Sequence, residues 1–154
     1  MQLANNEELD TFLKIHPSIK MMEVLMIDMN GIIRCKRIPR SEFAELFTEG
    51  LKSPASTVLL NVKGEFCDEL DKADLDGDPD RLIRPIKNTL SIIPWLESET
   101  AQVLSTFTEL NGEPNLFDSR NVLINSLKPL YALGLKLVVA TELEFYLIKK
   151  ALEL

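Results

Sequence analysis

The chain has 154 residues, 45% hydrophobic and 27% charged, with a formal net charge of -7. Those proportions are ordinary for a globular protein, and the acidic balance argues against non-specific nucleic-acid binding, which needs clustered lysine and arginine. No apolar run is long enough for a transmembrane helix, and the polar, acidic start (Asn5, Asn6, Glu7, Glu8, Asp10) is unlike a signal peptide, so a cytoplasmic protein with no membrane partner is expected.

In chain order, residues 5–15 read as a short helix with Leu9, Phe12 and Leu13 on one face, stopped by Pro17. Residues 23–29 and 32–38 read as strands joined at Asn30-Gly31. Both central positions of a type I′ turn need positive φ, and Asn-Gly supplies that. The neighbouring basic residues Arg34, Lys36, Arg37 and Arg40 read as a solvated strand face. Ser41 is the expected N-cap of a helix through Glu49, and Gly50 suits the position just past its end. Residues 56–62 are β-prone, 65–80 are acidic and turn-rich, and 81–87, 89–93 and 102–110 are further strand candidates. After the turn at Asn111-Gly112 the pattern changes. Asp118 can cap a helix over 119–133 that Pro129 should kink or split, and an apolar strand over 135–148 follows.

Chemistry-bearing motifs are few. Cys35 and Cys67 lack metal-ligand spacing and read as reduced thiols. His16 is the only histidine, which argues against a histidine triad or a zinc site. The stretch Asp74-Leu75-Asp76-Gly77-Asp78-Pro79-Asp80 fails as a calcium loop. With Gly77 at the sixth position, Lys72 and Ile83 fall where acidic ligands belong. It reads as a solvated acidic loop, with Arg81 and Arg84 paired to the preceding aspartates. No phosphate loop, dinucleotide fingerprint or nucleophile elbow occurs.

The exception is Thr141-Glu142-Leu143-Glu144-Phe145-Tyr146-Leu147. On a strand, Leu135, Leu137, Val139, Leu143, Phe145 and Leu147 share one apolar face, and Glu142 and Glu144 fall together on the other. Their Cα atoms would lie about 6.5 Å apart, a spacing that lets two carboxylates line one pocket and hold hard divalent cations. A half-exposed sheet with both glutamates facing water is the competing explanation.

Several segments together resemble the N-terminal part of the glutamine synthetase family, its γ-glutamylpolyamine synthetase type above all. They are Asp28-Met29-Asn30-Gly31 with Lys36-Arg37-Ile38-Pro39, Ser53-Pro54-Ala55-Ser56-Thr57, Gly77-Asp78-Pro79-Asp80-Arg81, Ile93-Pro94-Trp95, Ala101-Gln102-Val103-Leu104, Ser119-Arg120-Asn121-Val122-Leu123 and Val139 to Leu147. The resemblance implies an α+β fold: a lead-in over 1–19, a β-grasp domain over 20–111, and over 112–154 the first helix and strand of an α/β catalytic domain. It also implies an ATP-dependent ligase. Such an enzyme phosphorylates the γ-carboxylate of glutamate and lets ammonia or an amine attack the acyl phosphate.

By the same resemblance Glu142 and Glu144 are ligands of two different Mg2+ or Mn2+ ions. Asp80 and Ser56 are inter-subunit substrate contacts. Two departures stand out. Pro54 stands where ammonia-using members carry a carboxylate that helps bind ammonium, which points to a larger amine. Asn61 stands where polyamine-type enzymes often have aspartate, which argues against a cationic polyamine. The family's remaining metal ligands, nucleotide-binding segment and phosphate-binding arginines are expected after residue 154. The chain by itself is therefore expected to be inactive and to self-associate. The alternative is a non-catalytic β-grasp module for binding or oligomerisation.

Overall fold

Asn5 starts the first helix, α1 (Asn6–Ile15), because its side chain accepts the Glu8 N–H at 3.1 Å and so satisfies one of the free donors of the first turn. The computed structural model describes residues 1–65 and 77–149. Cys67 and Asp74 to Asp76 of the acidic stretch lie outside the described residues.

Two strands follow, β1 (Met21–Ile27) and β2 (Ile33–Pro39), paired antiparallel from Met21 with Pro39 to Ile27 with Ile33. The hairpin is where sequence places it, but its turn differs from type I′. Only Gly31 has positive φ, at 78°, and Asn30 does not. Gly31 N–H donates to Asp28 O, and Asp28 N–H donates to Ile32 O, both at 3.0 Å. That is the three-residue connection in which a left-handed glycine follows an ordinary turn. The Asp28 carboxylate selects it by accepting the Asn30 and Ile32 N–H groups, each at 2.9 Å.

A short 3-10 turn over Arg40–Glu42 leads into α2 (Phe43–Thr48), so Ser41 is not the cap; Glu42 holds that position without a side-chain bond. Gly50 ends the helix as expected, at φ 86°. A Cβ there would lie 2.8 Å from the Ile83 carbonyl and 2.5 Å from Arg84 Cδ. Gly50→Ala should therefore lower stability by about 2 kcal/mol or more, read as a fall in the urea midpoint at constant slope.

The segment 51–59 departs from the expected strand over 56–62. A short strand, β3 (Leu51–Pro54), comes first, and Ala55–Leu59 winds into a 3-10 turn. Ala55, Ser56, Val58 and Leu59 are all buried there, so burial rather than β propensity decides the local form. β4 (Asp80–Pro85), the two-residue β5 (Ser91–Ile92) and β6 (Thr100–Thr108) complete a six-stranded mixed sheet of order β2-β1-β6-β4-β3. β1 and β6 run parallel, β5 also pairs with β6, and the other pairings are antiparallel. The sheet curls so that its two end strands approach: Lys36 Nζ on β2 donates to Lys52 O on β3 at 3.3 Å.

The core lies between this sheet and the first two helices. Met22, Val24 and Met26 alternate inward along β1 and meet Leu9 of α1, Phe43, Leu46 and Phe47 of α2, Ile83 of β4, and Val103 and Phe107 of β6. Both of these helices close the core.

The last helix, α3 (Ser119–Ala132), is continuous through Pro129. Pro129 sits close to the helix end, so it forfeits one backbone bond on an exposed turn and does not split the element. α3 buries only Asn121. The expected strand over 135–148 is not formed. Residues 135–149 have no regular structure, and every one of them is exposed. A strand needs a neighbour for its backbone groups, and no described strand pairs with this stretch. Among the described residues no helix is long and apolar enough to cross a membrane.

Candidate functional site

Two carboxylate clips organise the surface around the predicted site. The first is at the hairpin tip. Asp28 is 1% exposed, and besides the two turn N–H groups it accepts Arg34 Nε at 2.9 Å. Arg34 Nη2 lies 2.8 Å from the same carboxylate and donates to Asn61 O at 2.9 Å. Met29 N–H donates to Val58 O, and Asn30 Nδ2 to Leu60 O at 2.7 Å. Arg34 is thus an ion-paired tether between the hairpin and the 58–61 segment, and not a solvated strand face.

The second clip joins the 55–59 turn to the 77–80 loop. Ser56 N–H donates to Asp78 Oδ1 at 2.9 Å, and Ser56 Oγ donates to Asp78 Oδ2 at 2.7 Å. Ala55 N–H donates to Pro79 O at 3.2 Å. Asp78 is therefore not part of a solvated acidic loop. It is half-buried and held at φ 45°, a left-handed conformation that aspartate tolerates better than most residues with a Cβ. Sequence reasoning missed its role, although Gly77-Asp78-Pro79 carries the turn chemistry that signals it.

The structure brings two of the predicted site residues together. Ser56 is 2% exposed with its hydroxyl engaged by Asp78. Asp80 opens β4 opposite Pro54, exposed, with no side-chain hydrogen bond to the described residues. Among the described residues Arg81 pairs with the Glu109 carboxylate and not with Asp78 or Asp80. Asn61 uses its side-chain oxygen on Lys63 and Glu65 N–H groups and its amide on Glu65 Oε2. On β2, the Cys35 thiol is pushed above its ordinary value, first by desolvation and then by Glu23, with Arg37 opposing.

Glu142 and Glu144 are not part of this assembly. Both lie in the exposed 135–149 stretch, and no group of three or more His, Cys, Asp or Glu converges among the described residues. Carboxylate oxygens suit Mg2+ or Mn2+, but two carboxylates, even with all four oxygens, fall short of a hard cation's usual shell of about six donors. The described residues do not by themselves build the metal centre. Hollows of about 450 Å3 beside α1 and about 180 Å3 beside α3 touch none of the four predicted residues, and one of about 600 Å3 in the exposed 135–149 stretch is lined by Glu144 with Leu143, Phe145 and Tyr146.

No model of a known protein family matches the chain. Individual proteins do. It is 33% identical to the gamma-glutamylputrescine synthetase PuuA of Escherichia coli over 147 residues, 96% of this chain and 31% of that protein. It is 32% identical to the glutamate–isopropylamine ligase of a Pseudomonas species over 128 residues, 82% of this chain and 28% of that one. It is 30% identical to the glutamine synthetase of Pyrococcus horikoshii over 132 residues, 86% of this chain and 26% of that one. The chain spans less than a third of the length of each of these relatives. It belongs to the glutamine synthetase family.

Proposed function

We propose that this chain is the N-terminal portion of an ATP-dependent ligase that joins the γ-carboxylate of glutamate to an amine through a γ-glutamyl phosphate. The observation that carries this is the similarity over 96% of the chain to an enzyme named for putrescine, together with a second relative named for isopropylamine. Pro54, in place of an ammonium-binding carboxylate, supports an organic amine over ammonia.

In this reading residues 20–111 form a β-grasp domain and 112–154 begin the catalytic domain. The mixed sheet that ends before α3, and the sparse burial of α3 itself, support a boundary near residue 111, while α1 packs from the lead-in onto the same core. Glu142 and Glu144 each supply one oxygen ligand to a divalent cation, which neutralises phosphate charge when bound. The 154 residues alone do not turn over, because two carboxylates are too few donors. The exposed apolar residues of 135–148 favour self-association.

In the full native protein that carries this chain, glutamate plus putrescine or isopropylamine should release phosphate from ATP. Glu142→Gln or Glu144→Gln should lower kcat/KM about 100-fold or more at limiting manganese, since even the outer partners of metal ligands cost 10- to 100-fold. Phosphate release that ignores both substitutions would sink the metal assignment. A folded protein without amine-dependent turnover would favour a non-catalytic binding or oligomerisation module.

A further inference from the structure

We infer that the hollow of about 180 Å3 between β6 and α3 is a binding site for a small carboxylate that carries a primary amide. The inference stands on the residues of this chain and does not depend on the ligase reading.

Three observations meet there. The first is an acceptor of fixed orientation. Asn121 is 4% exposed and lines the hollow. Its Nδ2 donates to Phe107 O and Asn115 O, both at 3.1 Å. Carbonyls only accept, so the amide cannot be reversed. Its Oδ1 is therefore turned away from those carbonyls, and no described residue donates to it. A buried amide oxygen without a donor is costly to leave unmet. The second is Thr108, 5% exposed on the same wall, whose hydroxyl has no hydrogen-bond partner among the described residues. The third is charge at the rim. Exposed Lys128 is the only charged side chain among the described lining residues, and it pairs with no carboxylate among the described residues.

A primary amide answers both inner groups at once: its NH2 donates to Asn121 Oδ1, and its oxygen accepts from the Thr108 hydroxyl. The inner end must be neutral. Both oxygens of Asp118 are already committed to Thr106, Phe107, Arg120 and Asn121, and a buried charge without a partner is strongly disfavoured. A carboxylate at the outer end meets the Lys128 ammonium, and half-buried Leu3 and Ile124 flank the link between the two ends. The hollow holds the liquid volume of about six waters and lies below the range of about 300–1,000 Å3 typical of drug-sized ligands, so it is too small for a nucleotide.

Succinamate is the probe, titrated into the isotope-labelled 154-residue chain and followed by NMR. The Asn121 side-chain NH2 signals and the Ile124 and Asn125 amides should shift saturably, with half-saturation below about 10 mM. 4-Oxopentanoate, which has a methyl in place of the amide NH2, and butanamide, which lacks the carboxylate, should each bind about tenfold more weakly or worse. Thr108→Val and Lys128→Met should each weaken succinamate about fivefold or more. Thr108→Val keeps the side-chain shape and removes a hydroxyl that no described residue bonds, so its urea midpoint should not fall. Weaker binding at an unchanged midpoint separates a contact with the ligand from a role in stability.

A hollow filled by water alone would give no saturable shift up to that concentration, and that result overturns the inference. Equal binding of succinamate and 4-oxopentanoate would overturn the amide assignment. Affinity indifferent to Lys128→Met would overturn the placement of the carboxylate. Should Thr108→Val fail to fold, the comparison of the three probes on the unmodified chain decides the question.

Discussion

Asp118→Ala should detach α3 and cost about 3–5 kcal/mol. Asp118 is 4% exposed, and both of its oxygens are fully used. Oδ1 caps the helix by accepting the Arg120 and Asn121 N–H groups at 2.9 and 3.2 Å. Oδ2 reaches across to β6, accepting the Phe107 N–H at 2.8 Å and the Thr106 hydroxyl at 3.0 Å. Alanine leaves the Phe107 N–H and the Thr106 hydroxyl buried without a partner, each worth about 1–3 kcal/mol, and removes a cap worth about 1.

Little apolar burial stands behind that carboxylate, since Ile124, Leu127 and Leu130 are only half-buried. Asn121 is the only buried residue of α3, and it too is a polar anchor: its Nδ2 donates to Phe107 O and Asn115 O, both at 3.1 Å. The urea midpoint should fall, and proteases should cut between 115 and 125 in the variant while sparing the sheet. Asp118→Asn should lie between the two, because an amide accepts at only one atom. An unchanged midpoint for Asp118→Ala would contradict the buried, fully engaged carboxylate.

Arg34→Ala should be the next most damaging change, at roughly 2–4 kcal/mol. It strands a carboxylate that is 1% exposed, with only two N–H donors left. Removing one partner of a buried pair costs more than the pair contributes, because the surviving charge has lost its solvation. Arg34→Lys should recover only part. A single ammonium cannot span Asp28 Oδ2 and Asn61 O as the guanidinium fork does. In exchange experiments the amides of 58–61 should lose protection in both variants. A stability loss that vanished in high salt would mean that the pair is solvated after all.

Much of the fold was legible because short-range chemistry is written locally. Asp118 caps the helix it was expected to cap, Gly50 ends α2, and the hairpin lies where alternation places it. What escaped is non-local. The turn type at Asn30-Gly31 was decided by Asp28, whose reach to Ile32 depends on the backbone already being folded. Residues 55–59 carry β-prone side chains but wind into a buried 3-10 turn, in which Ser56 is also bonded to Asp78, 22 residues away. Arg81 chose Glu109 over its neighbours for the same reason.

The candidate site divides in the same way. Glu142 and Glu144 stand out by pattern and by resemblance. Their expected strand does not form because pattern alone cannot provide a strand to pair with. Asp78 was hidden among acidic residues of similar appearance.

The parallel pairing of β1 with β6 has a temporal consequence. Met21 meets Thr100, so the first strand of the sheet waits for a partner about 80 residues later in the chain. Synthesised at 5–20 residues per second, the β1–β2 hairpin would remain without that partner for on the order of ten seconds. During that interval Met22, Val24 and Met26 have neither Val103 nor Phe107 to pack against. The charged edge of β2, with exposed Lys36 and Arg37, then discourages another chain from completing the sheet first.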